Sequence, residues 1–391
     1  MYYLKENKKF IGNSNVNEAK SYKQAYNLAF GVLSCIGIFC VVMGHMGCDL
    51  LSLNGWLPYA SFHMPLFFFI SGYFYNYDRE LALLGSVVQL IKKLIVPFYL
   101  VYMAYYFLYL LLNRFWGCTI GIGKEMGIFA YIAAPFTEVQ PVGFCTPAWF
   151  VITLFGVMVF HLCLQKLLHV LNVNEKETRE YITVIIYIIL GVIAFKTGTT
   201  AEYGWVKNIL KIIYGLSFYQ IGYLFHKYLE KQIMEVNIFV YFGILIVLRE
   251  FLWIRTGWAS IAMYSFSDIE EGYFAATLSA IIGILFWYRI SVIVSKAVKE
   301  NGFTIFIGKH TFSIMIHHLF NVFVIQGFIL FIGRMLDINF IFDTAAYKSS
   351  EYFVFNQHPL IPVLLSILTV ILIVVADCVV DRIKRRIKKY E

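Results

Sequence analysis

Runs of about 20 predominantly apolar residues, each long enough to cross a bilayer as a helix, recur ten times along this chain. They lie near 28–46, 58–77, 94–113, 146–166, 181–196, 209–227, 236–254, 272–290, 310–332 and 360–379. That recurrence predicts an all-α protein, a polytopic membrane helical bundle of about ten transmembrane helices. The composition agrees: of 391 residues 60% are hydrophobic and 14% charged, which excludes a soluble globular chain.

Charge then orients the bundle. With ten spans and both termini cytoplasmic, most of the 32 Lys and Arg fall in inner loops and tails, and losing one span would reverse every later loop. The net charge of +8 is therefore an orientation signal, and no nucleic-acid partner is expected. Residues 1–24 read as a polar, flexible cytoplasmic tail, with no cleaved signal peptide expected. Residues 25–380 form the membrane domain, and 381–391 a basic cytoplasmic tail whose Arg382–Lys389 run would touch anionic lipid. Two long loops, 114–145 and 333–359, are expected on the outer side, as is an acidic one at 255–271 with Asp268, Glu270 and Glu271. Cys35, Cys40, Cys163 and Cys378 read as packing residues, and a Cys118–Cys145 bridge is open from sequence. No metal-ligand spacing occurs.

Ionisable groups inside these runs cost roughly 2.5–3.5 kcal/mol at mid-bilayer, so they mark candidate chemistry. His45 closes the first run and His63 lies early in the second, joined by a short connection without Lys or Arg that ends Gly55-Trp56-Leu57-Pro58. Both histidines thus sit near one end of two antiparallel neighbours. Histidine is the usual base for drawing a proton from an attacking hydroxyl near neutral pH, against the plainer reading of a capping or structural histidine. Pro65 removes a backbone donor two residues after His63 and leaves a carbonyl free for a polar cavity. In the ninth run His310, Ser313, His317 and Asn321 share one helical stripe that should face the interior. Arg249 and Glu250 could contact a polar substrate or simply snorkel as a pair, and Trp149 could be a sugar platform or an interfacial belt residue.

The stretch Phe62-His63-Met64-Pro65-Leu66-Phe67-Phe68-Phe69-Ile70-Ser71-Gly72-Tyr73, following a helix that ends in His45, resembles the membrane-bound acyltransferase family 3, which includes sugar and peptidoglycan O-acetyltransferases. Pro147-Ala148-Trp149-Phe150 and Ile307-Gly308-Lys309-His310-Thr311-Phe312-Ser313-Ile314, leading to His317-His318, are similar in the same order. The resemblance implies a multi-pass protein of the cell membrane that takes acetyl-CoA or another acyl-CoA as donor, without a metal. The implied acceptor is a hydroxyl of a cell-surface carbohydrate or lipid-linked glycan. It makes His45 the general base and gives His63 and His318 (or His317) orienting or binding roles. Arg249, Glu250 and Trp149 would then face the acceptor. Similar proteins carry Arg or Lys eleven residues before the histidine, on the same helical face and suited to CoA phosphates, where this chain has Ser34. Lys92, Lys93 or Lys309 would have to supply that charge, or the donor has changed. Two other classes compete: a carbohydrate or lipid-intermediate transporter on the same scaffold, and a non-catalytic partner in a glycan-synthesis complex.

Overall fold

A computed structural model describes residues 16–53, 55–76, 82–120, 126–173, 175–257, 261–267, 272–299, 302–336, 344–352, 354 and 360–387, with side chains from residue 28. Among these residues the chain is helical, with no strand and one isolated bridge, Ala262 to Ser267. The all-α polytopic bundle expected from the apolar runs is what the chain forms. In order, the helices are α1 Val16–His45, α2 Tyr59–Tyr73, α3 Leu83–Trp116, α4 Ile128–Thr137, α5 Trp149–Val170 and α6 Lys176–Gly198. There follow α7 Gly204–Glu235, α8 Ile238–Thr256, α9 Gly272–Ser295, α10 Phe303–Lys309, α11 Thr311–Met335, α12 Thr344–Ser349 and α13 Leu360–Ile387.

Each of the ten apolar runs falls on a helix, but fewer satisfy the length and composition of a bilayer crossing. Seven do so alone, and α7 with α8, bent by 117° at their junction, makes eight if counted as one span. α2 has 15 residues, about 22 Å at 1.5 Å per residue, and is shorter than a bilayer. Its length has a physical reason: α2 is a core helix rather than a lipid-facing one. Phe62, Leu66, Phe68 and Phe69 are all buried, and both α7 and α9 pack along it.

Small residues set how close these helices come. A Cβ on Gly72 would overlap the Tyr219 carbonyl, and one on Gly222 would overlap the Phe69 carbonyl, so α2 and α7 cross backbone to backbone. Gly308 of α10 meets the Gly31 backbone of α1 in the same way. Gly283 of α9 admits the Phe62 ring. Two helices carry a π-helical turn, Ile91–Ile95 in α3 and Phe225–Leu229 in α7. Beside the second, the buried Glu230 carboxylate accepts from Tyr73 at 2.8 and 2.9 Å and from Tyr288 at 2.8 Å, tying α2, α7 and α9 together at the end opposite His45. Glu180 of α6 is held likewise by Tyr223, Lys227 and Tyr228.

Both expected tails are partly helical. α1 begins at Val16, because Ala, Glu, Lys and Gln favour helix over this stretch and neither Gly nor Pro interrupts it; residues 1–15 lie outside the described ones. α13 carries the basic run as far as Ile387. The 114–145 loop contains the apolar α4, and the 333–359 loop contains α12. The acidic residues Asp268, Glu270 and Glu271 lie outside the described residues. Cys118 and Cys145 are both buried as free thiols, so the possible bridge is not formed.

The close crossing makes a sharp prediction. Gly222→Val forces a branched side chain into the Phe69 carbonyl and should abolish the folded, monodisperse protein on size-exclusion chromatography in detergent. Gly243→Val, where a Cβ meets nothing within 4 Å, should elute as wild type. Equal recovery of the two variants would contradict the crossing.

Candidate active site

α1 ends at His45 because Gly47 takes a left-handed turn (φ +71°) and the chain reverses through a single 3-10 turn, Leu50–Ser52. The Ser52 Oγ accepts from the Tyr59 amide at 2.9 Å, which starts α2 after Pro58. Tyr59 then packs on Gly44 and stands edge-on to His63, with ring centroids 5.3 Å apart. The connection thereby brings the two histidines to one end of α1 and α2.

A third histidine completes the group. The His318 ring of α11 lies 5.2 Å from the His45 ring, at 36°. Its Nδ1 sits 3.0 and 2.9 Å from the carbonyls of Ile314 and Met315. Carbonyls only accept, so Nδ1 carries the proton and Nε2 of the neutral ring is left as a bare lone pair, fully buried and without a partner. His63 is fixed in the same tautomer by the Tyr59 carbonyl, 2.7 Å from its Nδ1. His45 itself makes ring contacts but no hydrogen bond among the described residues, so both its nitrogens remain available for chemistry. Of the neighbouring pair, His318 is therefore the one at the centre. His317 points instead to α3, where its Nδ1 is 2.6 Å from the Tyr105 hydroxyl. Two others of its stripe are likewise engaged away from His45: Ser313 donates to Asp377 of α13 at 2.9 Å, and His310 donates to the Phe306 carbonyl; Asn321 is half-buried further along α11.

The other flagged residues lie outside this histidine group. Trp149 is buried at the start of α5, one indole face covered by the Lys211 ammonium 5.0 Å away. Lys211, fully buried, also donates to the carbonyls of Val139 and Tyr264, and so ties the segments before α5 and before α9 to α7. Arg249 and Glu250 grip Trp56 in the α1–α2 connection: the Arg249 Nε donates to the Trp56 carbonyl and the Trp56 indole donates to Glu250, each at 2.6 Å. Both terminal nitrogens of Arg249 are buried without a hydrogen-bond partner, the guanidinium lying 5.3 Å from the Trp253 ring centroid. Ser34 is buried on α1, one turn beyond the Gly31–Gly308 contact, and Lys309 is exposed right after that contact. Lys92 and Lys93 are exposed on the π turn of α3, which packs against α5. Among the described residues no group of three or more His, Cys, Asp or Glu is disposed to hold a metal ion.

Sequence reading passed over three participants. Lys211 had a signal, a lone cation inside an apolar run. Tyr105 and Tyr352 had none among 28 tyrosines. Tyr352 lies between α12 and α13, its ring stacked on His45 at 5.6 Å and 19°. Beside it, the Glu351 carboxyl lies 3.4 Å from the Thr146 hydroxyl.

A family model described as acyltransferase domain matches residues 27–378. No curated protein and no solved structure matches the chain.

Burial raises the Glu351 carboxyl above its ordinary pKa, its own backbone amide and the nearby Thr146 hydroxyl only partly opposing it. The folded chain then keeps a proton that the unfolded chain releases first. This group's contribution to stability is thus lost as pH rises from the ordinary carboxylate value through the raised one. Glu351→Gln should remove that fall, so the difference in Tm between variant and wild type should grow in the variant's favour as pH is raised across this window. Tm curves that stay parallel would contradict a buried, proton-holding Glu351.

Proposed function

We propose that this chain, which belongs to acyltransferase family 3 and is a multi-pass membrane acyltransferase, transfers an acyl group, acetyl foremost, from acyl-CoA to a hydroxyl of a cell-surface carbohydrate or lipid-linked glycan. The observation that carries this reading is the convergence of His45, His63 and His318 at one end of the bundle, two of them locked with Nε2 unprotonated. Acyl transfer needs a base and nothing redox. His45 takes the proton of the acceptor hydroxyl as its oxygen attacks the thioester carbonyl; a C–O bond forms, the C–S bond breaks, and the proton passes to the departing CoA thiolate. His318 and His63 hold His45 and the acceptor hydroxyl in register, because each has only its Nε2 left to offer.

The donor would enter from the cytoplasmic end, opposite His45, with both termini on that side. Its phosphates need cations, and Ser34 is buried and uncharged. Lys92 and Lys93 on the π turn of α3, or Lys309 beside Gly31, supply them in this reading. The acceptor approaches from the His45 end, past Arg249, Glu250 and Trp149. The buried neutral Ser34 favours one rival, a carrier of carbohydrate or lipid intermediates that never handles a thioester.

Labelled acetyl-CoA separates the two. Membranes holding wild type should transfer label to a crude surface-glycan fraction, and His45→Ala should lower the rate by about 10²-fold or more, the scale of a lost general base. Lys92→Ala/Lys93→Ala or Lys309→Ala should raise KM for acetyl-CoA more than it lowers kcat. Equal labelling by wild type, His45→Ala and empty membranes would overturn the enzyme reading for this donor.

A further inference from the structure

The residue that covers the proposed base comes from neither α1, α2 nor α11. Tyr352 reaches it from the connection between α11 and α13, and its ring lies nearly parallel to the His45 imidazole. His45 is thus contacted by a tyrosine ring at 5.6 Å and the His318 ring at 5.2 Å. Such contacts fix the plane of an imidazole while leaving its two nitrogens free at the edge.

The segment carrying Tyr352 is anchored on purpose-built polar contacts. Gln326 of α11, 1% exposed, donates through Nε2 to the Tyr352 carbonyl at 3.3 Å and accepts through Oε1 from the Val354 amide at 2.8 Å. Thr146, in the 3-10 turn leading into α5, lies 3.4 Å from the preceding Glu351 carboxyl, its own proton going to the Gly143 carbonyl at 2.6 Å. On its other side, α12 is fastened by the Tyr347 hydroxyl, which donates to the Phe323 carbonyl at 3.1 Å, with the two rings stacked at 4.7 Å. One buried glutamine thus bonds the Tyr352 carbonyl and the Val354 amide together, tying the chain at Tyr352 to α11. The Tyr352 phenol is pushed up to about 12 by burial and by the nearby Glu351, so it keeps its proton and is no rival base.

We propose that Tyr352 is a positioning residue that makes the site choose an acceptor hydroxyl over water. Resting on the reading of His45 as the base, its ring holds the imidazole in plane and closes the His45 end against bulk water. A thioester beside an activated base has two fates. In transfer, the acceptor oxygen bonds to the acyl carbon and CoA leaves as the thiol. In hydrolysis, water supplies that oxygen, and acetate and CoA leave together. Both break the same C–S bond with the same base, so a covering ring acts on the ratio of the two rather than on the chemistry itself. Gln326 acts one step further back, by holding the covering segment down.

The test measures both fates in one assay. Full-length protein in native membranes receives labelled acetyl-CoA and the crude surface-glycan fraction, and labelled acetate and labelled glycan are counted for wild type, Tyr352→Phe, Tyr352→Ala, Gln326→Leu and His45→Ala. Tyr352→Ala should raise the acetate-to-glycan ratio by about tenfold, with total CoA release within about threefold of wild type. Tyr352→Phe keeps the stacking ring and should hold the wild-type ratio, while Gln326→Leu should shift the ratio in the same direction as the alanine variant. A merely structural role would lower both products together, and that unchanged ratio in Tyr352→Ala overturns the proposal. Failure of the underlying reading looks different: wild type would then release no more CoA than His45→Ala, and the proposal would fall with it.

Discussion

The backbone crossing of α2 and α7 at Gly72 and Gly222 is the contact on which the rest of the bundle depends. In lipid no hydrophobic force pulls one helix to another, so close packing has to supply the cohesion, and only glycine lets two backbones meet. Drawn in this far, α2 becomes a core helix, shorter than the bilayer and covered by apolar neighbours. Its His63 is then half-buried beside the Tyr59 ring. The tyrosines that close on Glu230 fasten the other end of the same helix, so α2 is held at its crossing and at its foot.

Against that fixed helix the imidazoles are oriented by carbonyls rather than by acids. No carboxylate hydrogen-bonds His45, His63 or His318 among the described residues; the Tyr59, Ile314 and Met315 carbonyls take the Nδ1 protons. A carboxylate here would hold an imidazole charged, whereas a backbone carbonyl specifies the tautomer and leaves the ring neutral, ready to accept a proton. The connection bearing Trp56 is steadied from outside the cluster by Arg249 and Glu250, and the Tyr352 segment by Gln326. Orientation thus comes from a surrounding shell, and the reacting edges stay open.

Much of this was legible in the sequence. The apolar runs located ten of the thirteen described helices, and the two stretches around His45 and His63 located two of the three histidines. Adjacent His317 and His318 could not be told apart, because one residue is a 100° turn of the helix and only packing says which side faces α1. The depth of each helix was also hidden. Hydropathy reports whether a run is apolar, not whether it meets lipid or protein, so α2 read like any other span. Tyr352 was out of reach for a different reason: it belongs to a loop of mixed composition, and its partner lies about three hundred residues away, a pairing that no local pattern encodes.

The most direct measurement is an experimental map of the full-length protein in a lipid nanodisc with a non-transferable acetyl-CoA analogue whose sulfur is replaced by methylene. The analogue's carbonyl should lie within hydrogen-bonding reach of the His45 ring, between His63 and His318, with its phosphates at the opposite end beside Lys92, Lys93 or Lys309. An analogue seated elsewhere in the bundle, with its carbonyl remote from all three histidines, would contradict His45 as the base.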